Sequence, residues 1–183
     1  MKFDKLIWTD KNGDEVELRS ARVEDAEALI EYMKVTTAET PYLIREPEEV
    51  TLTVDDEKSF IQGRIDAPRD LMLVAFMNGK HVGNCSLMSL AGYKRYAHRC
   101  EIAIALYKEF CGRGIGRKML EIVLDVAKSN GYEQAELEVI AGNTSAIAFY
   151  EKLGFKKYGT FPDNMKYKDG SYEDAYWMMK KLH

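Results

Sequence analysis

Three glycines on alternate positions, Gly112, Gly114 and Gly116, restrict the fold of this chain more than any other feature. They follow the apolar stretch "CEIAIALY" and precede "KMLEIVLDVAKSN", in which apolar residues recur at helical spacing. The pattern therefore predicts a strand, a tight turn and a helix that begins directly after it. Because the first N–H groups of a helix have no partners within the helix, such a turn is typical of an anion site.

Two other phosphate-binding motifs do not fit this turn. A P-loop that starts at Gly112 requires its second glycine at position 117, where this chain has Arg117. The dinucleotide fingerprint G-x-G-x-x-G requires a glycine at the same position. A flexible turn with solvated arginines is the plain structural alternative. The turn by itself predicts a pyrophosphate site but does not identify the protein.

The rest of the chain predicts alternating strands and helices. Asn12-Gly13 and Asn78-Gly79 are favoured pairs for tight hairpins, and each separates two strand-like segments. The predicted order is β, α, α, β, β, β, α, β, α, β, β, with the last two strands near 156–161 and 172–182. This order predicts one domain, residues 1–183, of the α/β (α+β) class. Its central sheet should be mixed and mostly antiparallel, with about seven strands flanked by about four helices.

Composition and charge limit the partners and the location of the chain. The net charge of -4 gives no general attraction to nucleic acid or to acidic membranes, so neither is expected as a partner. No stretch approaches the roughly 18 apolar residues of a membrane span. Cys85, Cys100 and Cys111 lie far apart without zinc-ligand spacing, which predicts a reducing cytoplasm and no metal.

A second segment, "NTSAIAFYEKLGF", carries two further candidate residues. Asn143 stands at the expected N-cap of a short helix, and Tyr150 follows seven residues later. That spacing is two helical turns, which puts both residues on one face about 10 Å apart. Taken singly, Asn143 is a plain helix cap and Tyr150 a buried aromatic residue. Taken together, they offer a carboxamide and a phenol to one cleft.

The two segments together resemble the GNAT superfamily of acyl-CoA-dependent N-acetyltransferases. The glycine turn, a strand and then N-x-x-A-x-x-x-Y-x-x-x-G-F occur in the order and spacing of that family. The family turn, usually written [Q/R]-x-x-G-x-[G/A], corresponds to residues 111–116, with Cys111 at the position of Gln or Arg. The resemblance implies a GNAT-like fold, acetyl-CoA as co-substrate and acetyl transfer to a primary amine.

The resemblance also implies a role for each matching position. The strand through Leu106 would bind the pantetheine arm and polarise the acetyl carbonyl, and Tyr150 would protonate the departing thiolate. Asn143 and the helix after it would hold the other side of the arm. The implied cofactor-binding residues are Leu106, Cys111, Gly112, Arg113, Gly114, Ile115, Gly116, Arg117, Asn143 and Ala146.

The reaction further requires a base, because an alkylamine is mostly protonated at neutral pH and its cation cannot attack. Glu101 resembles the position where relatives often have a carboxylate that acts through water, so Glu101 and Tyr150 are the implied catalytic residues. Glu138 is a weaker candidate for the base. The plain alternative for Glu101 is an ordinary strand residue or half of an ion pair.

The acceptor is predicted from charge. Between Glu24 and Glu57 there are eleven acidic residues and two basic ones, which would attract a small cationic amine. Solvated helix faces are the plain alternative. The loop 93–99, with its cluster of tyrosine and basic residues, is either merely solvated or holds the adenosine 3'-phosphate. His81 and His98 are predicted at the surface.

Other functions stay open at this point. A protein N-terminus or a lysine side chain is the alternative acceptor, and a non-catalytic CoA-binding sensor domain is the alternative to an enzyme. The sequence also leaves a homodimer open.

Overall fold

The computed structural model describes residues 1–90 and 92–183 and confirms the predicted class, with eight strands instead of about seven. The strands are β1 (Leu6–Thr9), β2 (Glu15–Ser20), β3 (Leu71–Met77), β4 (Lys80–Ser89), β5 (Arg99–Leu106), β6 (Gln134–Ile140), β7 (Lys156–Lys166) and β8 (Tyr172–Lys181). The helices are α1 (Ala26–Glu39), α2 (Val54–Asp66), α3 (Ile115–Ser129) and α4 (Thr144–Lys152). None of these helices is long and apolar enough to cross a membrane.

All strands form one sheet in the order β1-β2-β3-β4-β5-β6-β8-β7. Both Asn-Gly pairs lie in hairpin turns as predicted, between β1 and β2 and between β3 and β4. The only parallel pair in the described part of the sheet is β5 with β6, and its register covers just Arg99 to Glu101. Beyond Glu101 the two strands separate, so the edge of β5 that faces β6 is left without strand partners up to Leu106.

The helices divide between the two faces of the sheet. On β3, alternate side chains point to opposite faces: Leu71 and Leu73 pack in one core cluster with α3, whereas Met72 and Val74 pack in a second cluster with α1 and α2. The first cluster also contains residues of α4. One face therefore carries α3 and α4, and the other carries α1 and α2.

His81, predicted at the surface, is buried, with 3% of its area exposed. It lies on β4 among the rings of Tyr32, Phe76 and Tyr107, which contact it edge-on at centroid distances of 4.9, 5.3 and 6.4 Å. Neither ring nitrogen has a hydrogen-bond partner among the described residues. Burial in these surroundings lowers the pKa of His81 to about 4 because the charged imidazolium would be desolvated.

This environment predicts that His81 destabilises the fold in acid. Between pH 6.5 and about 4 the unfolded chain binds a proton at His81 that the folded chain does not, so the free energy of unfolding falls as the pH falls. Below about pH 4, where this loss is complete, protonation of His81 lowers the free energy of unfolding by up to about 3 kcal/mol. We expect His81→Leu to flatten the pH dependence of urea unfolding below pH 6.5. His98→Leu is the matched control, and an unchanged slope in His81→Leu would contradict the prediction.

Candidate active site

The phosphate turn, residues 111–117, connects β5 to α3 and presents a row of backbone donors. Gly112 and Gly114 have φ of 78° and 89°, a left-handed conformation that glycine adopts without strain. Gly114 is the N-cap of α3 and has no side chain with which to cap the helix. Within the described residues, the six N–H groups from Gly112 to Arg117 have no hydrogen-bond acceptor. The Cys111 N–H, by contrast, donates to the Lys108 carbonyl at 3.1 Å.

The arginine in the middle of the turn points away from it. The Arg113 guanidinium forms ion pairs with Asp10, Nε to Oδ2 at 2.5 Å, and with Asp14. Both aspartates lie in the turn between β1 and β2. Arg117 also has an acidic partner, Glu121, at 2.9 Å. The donors of the phosphate turn are therefore backbone groups, and its arginine side chains are paired within the protein.

Three elements meet at Gly116. A Cβ atom at Gly116 would lie 3.3 Å from Leu106 Cδ1, 3.7 Å from Ile104 Cδ1 and 4.0 Å from Phe149 Cζ. The first two residues belong to β5 and the third to α4. The absence of a side chain at this position thus lets the start of α3 lie close to both the free edge of β5 and the helix that carries Tyr150.

Helix α4 begins where its sequence predicts. The Asn143 side chain accepts a hydrogen bond from the Ala146 N–H at 3.2 Å, which makes it the N-cap. Tyr150 is 8% exposed and packs against Phe149 and Phe155 at centroid distances of 5.3 and 5.8 Å. Burial raises the pKa of Tyr150, so its phenol is protonated at neutral pH. No described residue forms a hydrogen bond with its hydroxyl.

An acidic strip lies on the sheet face that α1 and α2 only partly cover. Glu101 is the register partner of both Met88 on β4 and Glu136 on β6, and Glu138 is the partner of Trp177 on β8. Since directly paired residues point to the same face, all three carboxylates share it. Partial desolvation raises the pKa of Glu101, and the negative charges of Glu138 and Glu136 raise it further.

Aromatic residues border this strip. The rings of Phe161 and Tyr158 stack on Trp177 at centroid distances of 5.8 and 6.3 Å, and all three are exposed. The Trp177 indole N–H donates to Glu138 Oε2 at 2.9 Å. Together the carboxylates and the rings form a surface that we call the acidic-aromatic face, defined by Glu101, Glu136, Glu138, Tyr158, Phe161 and Trp177.

Several of the acids counted between Glu24 and Glu57 have structural partners. Asp25 is buried and forms two hydrogen bonds with Arg19, at 2.7 and 2.8 Å. Glu46 and Glu48 both bind Lys168, at 3.1 and 2.5 Å. These three acids are therefore compensated by basic residues within the fold, and a separate set of carboxylates forms the strip on β5 and β6.

The basic loop before β5 lies far from the phosphate turn. It precedes Arg99, whereas the turn follows Leu106 at the other end of an eight-residue strand, about 26 Å long. Arg99 pairs with Glu136 through two hydrogen bonds, at 2.5 and 2.6 Å. The loop and the phosphate turn therefore lie at opposite ends of β5. Ala91, which precedes this loop, lies outside the described residues.

Sequence reasoning missed two parts of this arrangement. The Asp10–Arg113 pair joins residues 103 positions apart, and the stack of Tyr158, Phe161 and Trp177 depends on the register between β7 and β8. The Asn12-Gly13 signal located the first hairpin but carried no information about what its turn contacts. Among the described residues, no cluster of three or more His, Cys, Asp or Glu side chains is placed to hold a metal ion.

A mixed sheet that opens beside a row of backbone N–H donors fits an acyl-coenzyme-dependent transferase, and the family comparison shows that class. The profile described as "Acetyltransferase (GNAT) family" matches residues 31–155, more than half of the chain. The chain belongs to this family and is an acyltransferase whose co-substrate is acetyl-CoA. Solved structures of proteins with the same fold contain acetyl-CoA.

Individual relatives match over different lengths. The N-alpha-acetyltransferase of Saccharolobus solfataricus is 30% identical over 181 residues, which cover 97% of this chain and 99% of that protein. The N-alpha-acetyltransferase 30 of Schizosaccharomyces pombe is 42% identical over 55 residues, 30% of this chain and only 37% of that protein. A GNAT-family acetyltransferase structure from Streptococcus pneumoniae has a TM-score of 0.86 at 25% identity, over 91% of this chain and 99% of that one.

Proposed function

We propose that this chain transfers the acetyl group of acetyl-CoA to a small cationic primary amine by direct attack in a ternary complex. The observation that carries the proposal is the row of six unpaired N–H groups at the start of α3. Such donors at a helix N-terminus suit an anion with several oxygens, and the coenzyme diphosphate is that anion. Bound there, the coenzyme supplies an activated acetyl thioester.

Backbone groups hold the rest of the coenzyme. The edge of β5 between Glu101 and Leu106 has no strand partner on the β6 side, and its peptide groups bind the pantetheine arm in place of a strand. Asn143 and Ala146, at the start of α4, hold the opposite side of the arm. An N–H group near Leu106 stabilises the oxyanion that develops at the carbonyl under attack.

Tyr150 acts as the general acid. A thiolate leaving group requires a proton, and a phenol whose pKa is raised by burial still carries its proton at neutral pH. The packing of Tyr150 against Phe149 and Phe155 fixes the direction of its hydroxyl. That fixed direction supports proton donation without rearrangement.

Glu101 acts as the general base, through water, on the acceptor ammonium. Its raised pKa brings its basicity closer to neutral pH, which is the condition under which a base takes up a proton most effectively. Glu138 accepts the Trp177 indole N–H and so is partly engaged. We therefore assign the base to Glu101 and not to Glu138.

The acidic-aromatic face binds the acceptor. Three carboxylates on adjacent strands favour a cation, and among the described residues only Glu136 forms an ion pair, with Arg99. Exposed aromatic faces attract organic cations as well. Both features support a cationic amine over a neutral or acidic acceptor.

A protein N-terminus is the second candidate acceptor. It is favoured by one specific observation, the full-length relative named N-alpha-acetyltransferase. Its α-ammonium would occupy the same carboxylate strip, and the following residues would lie along the exposed aromatic rings.

An amine panel distinguishes these functions. We expect release of free CoA thiol from acetyl-CoA with spermidine or an aminoglycoside, and little release with peptides. Turnover only with peptides that have a free N-terminus would support the second candidate instead. Peptides with a blocked N-terminus and an internal lysine test lysine acetylation. Tight CoA binding without turnover on any amine would identify a non-catalytic sensor domain and overturn the proposal.

Removal of the Tyr150 hydroxyl should affect the chemical step and leave coenzyme binding intact. We expect Tyr150→Phe to lower kcat on the order of a hundredfold, while the Kd for CoA changes by less than about twofold, because the lost group donates its proton only during the reaction. Steady-state kinetics and CoA titration measure the two values. Tyr132→Phe is the matched control, since the Tyr132 hydroxyl binds Ser89. Equal losses in kcat and in CoA affinity would remove the acid assignment.

Removal of the Glu101 carboxylate should change the pH dependence of kcat/KM. A base acts only when ionised, so activity in the wild type rises as the pH increases through the pKa of Glu101. We expect Glu101→Gln to lose this limb of the kcat/KM profile and to reduce the rate by about a hundredfold or more. Glu138→Gln is measured in parallel. A profile altered by Glu138→Gln and untouched by Glu101→Gln would transfer the role to Glu138.

A further inference from the structure

The turn between β1 and β2, residues 10–14, has a fixed shape. Asp10 Oδ1 accepts hydrogen bonds from the N–H groups of Asn12 and Asp14, at 2.9 and 3.0 Å. Gly13 has a φ of 90°, which closes the turn in the left-handed conformation. These contacts use one oxygen of the Asp10 carboxylate and leave the other, Oδ2, free to bind outside the turn.

This β1–β2 turn is attached to the phosphate turn by main-chain and side-chain contacts. The Lys11 N–H donates to the Arg113 carbonyl at 3.1 Å. Asp10 Oδ2 binds Arg113 Nε at 2.5 Å, and Asp14 binds the same guanidinium. The Asp10 side chain is fully buried, and that of Arg113 is 16% exposed. Arg113 is therefore an anchor for the backbone of the phosphate turn.

Side chains from the same hairpin cover the N-cap of α3. A Cβ atom at Gly114 would lie 3.4 Å from Lys11 Cε and 3.5 Å from Trp8 Cη2. The carbon next to the Lys11 ammonium thus lies in contact range of Gly114, in the middle of the row of free N–H groups. Within the described residues the ammonium has no carboxylate partner, whereas Arg113 and Arg117 are both paired.

We propose that the β1–β2 turn is part of the coenzyme site, in which Lys11 binds a phosphate of acetyl-CoA and Asp10 is a positioning residue that holds the phosphate turn through Arg113. The inference rests on the proposed diphosphate site at residues 112–117. It assigns the positive side-chain charge of that site to a residue about a hundred positions away in sequence. The two arginines within the turn do not supply that charge.

The first test removes the ammonium. We expect Lys11→Met to weaken CoA binding about fivefold at low salt and Lys11→Arg to retain it, because an exposed charge pair contributes modestly. The difference should shrink in 1 M salt. Titration of 3'-dephospho-CoA locates the phosphate: a loss for both ligands assigns Lys11 to the diphosphate, and a loss for CoA alone assigns it to the 3'-phosphate. Lys5→Met, on the same hairpin, is the control.

The second test removes the Asp10 oxygen that holds Arg113. Asp10→Asn keeps an oxygen for the N–H groups of Asn12 and Asp14 and replaces the oxygen that binds Arg113. We expect the KM for acetyl-CoA to rise on the order of tenfold at an unchanged kcat, since the positioning concerns coenzyme binding and not the chemical step. Glu17→Gln, which breaks the pairs with Lys5 and Arg19 on β2, controls for a general loss of stability. A lower Tm with an unchanged KM would make Asp10 purely structural.

Failure of this inference is distinguishable from failure of the proposed function. A wild-type protein that binds no CoA would overturn the diphosphate site itself. A wild type that binds CoA, with Lys11→Met and Asp10→Asn binding it equally well, would overturn only the role of the β1–β2 turn.

Discussion

The separation of β5 from β6 beyond Glu101 is the constraint on which the remaining structure depends. Two parallel strands that stay paired satisfy each other's peptide groups, and no ligand can enter between them. Here the pairing ends after three residues, so the edge of β5 toward Leu106 keeps unsatisfied donors and acceptors. In the proposed function the pantetheine arm satisfies this edge, and the phosphate turn lies at its end. The opening in the sheet and the proposed anion site are thus consecutive parts of one chain segment, which explains why they lie together.

The sequence revealed those parts of the site that are local in the chain. The glycine turn and the seven-residue spacing from Asn143 to Tyr150 reflect the geometry of one turn and one helix, and both were found at the predicted positions. Contacts between distant segments were not predictable in this way. The partner of Arg113 depends on where the first hairpin docks. The burial of His81 could not be predicted from residue type, because histidine occurs both at surfaces and in cores.

The distribution of charged side chains in the fold was likewise not predictable from the sequence. An excess of acids in one segment suggested an attraction for cations, yet Asp25 and Glu46 have basic partners in the fold. The carboxylates of the acidic-aromatic face, Glu101 and Glu138 among them, come from strands separated in sequence by the whole of α3. Their electrostatic effect arises because the sheet places them on adjacent strands of one face. The composition gives the number of charged residues, but the register of the strands determines which of their side chains lie close enough to act together.

The two faces of the sheet differ in how deeply their residues are buried near the site, and this difference accounts for the arrangement of the site. The face that carries Tyr150 and the start of α3 is fixed by the core that α3 and α4 share. The opposite face carries exposed side chains on β7 and β8, where Trp177 and Phe161 contribute little to that core. In the proposed function, substitutions at the exposed positions therefore alter which amine binds, while the geometry of the thioester and of its proton donor stays unchanged. Burial then gives that function a fixed donor site beside an adjustable acceptor surface, because packing constrains buried residues far more strongly than exposed ones.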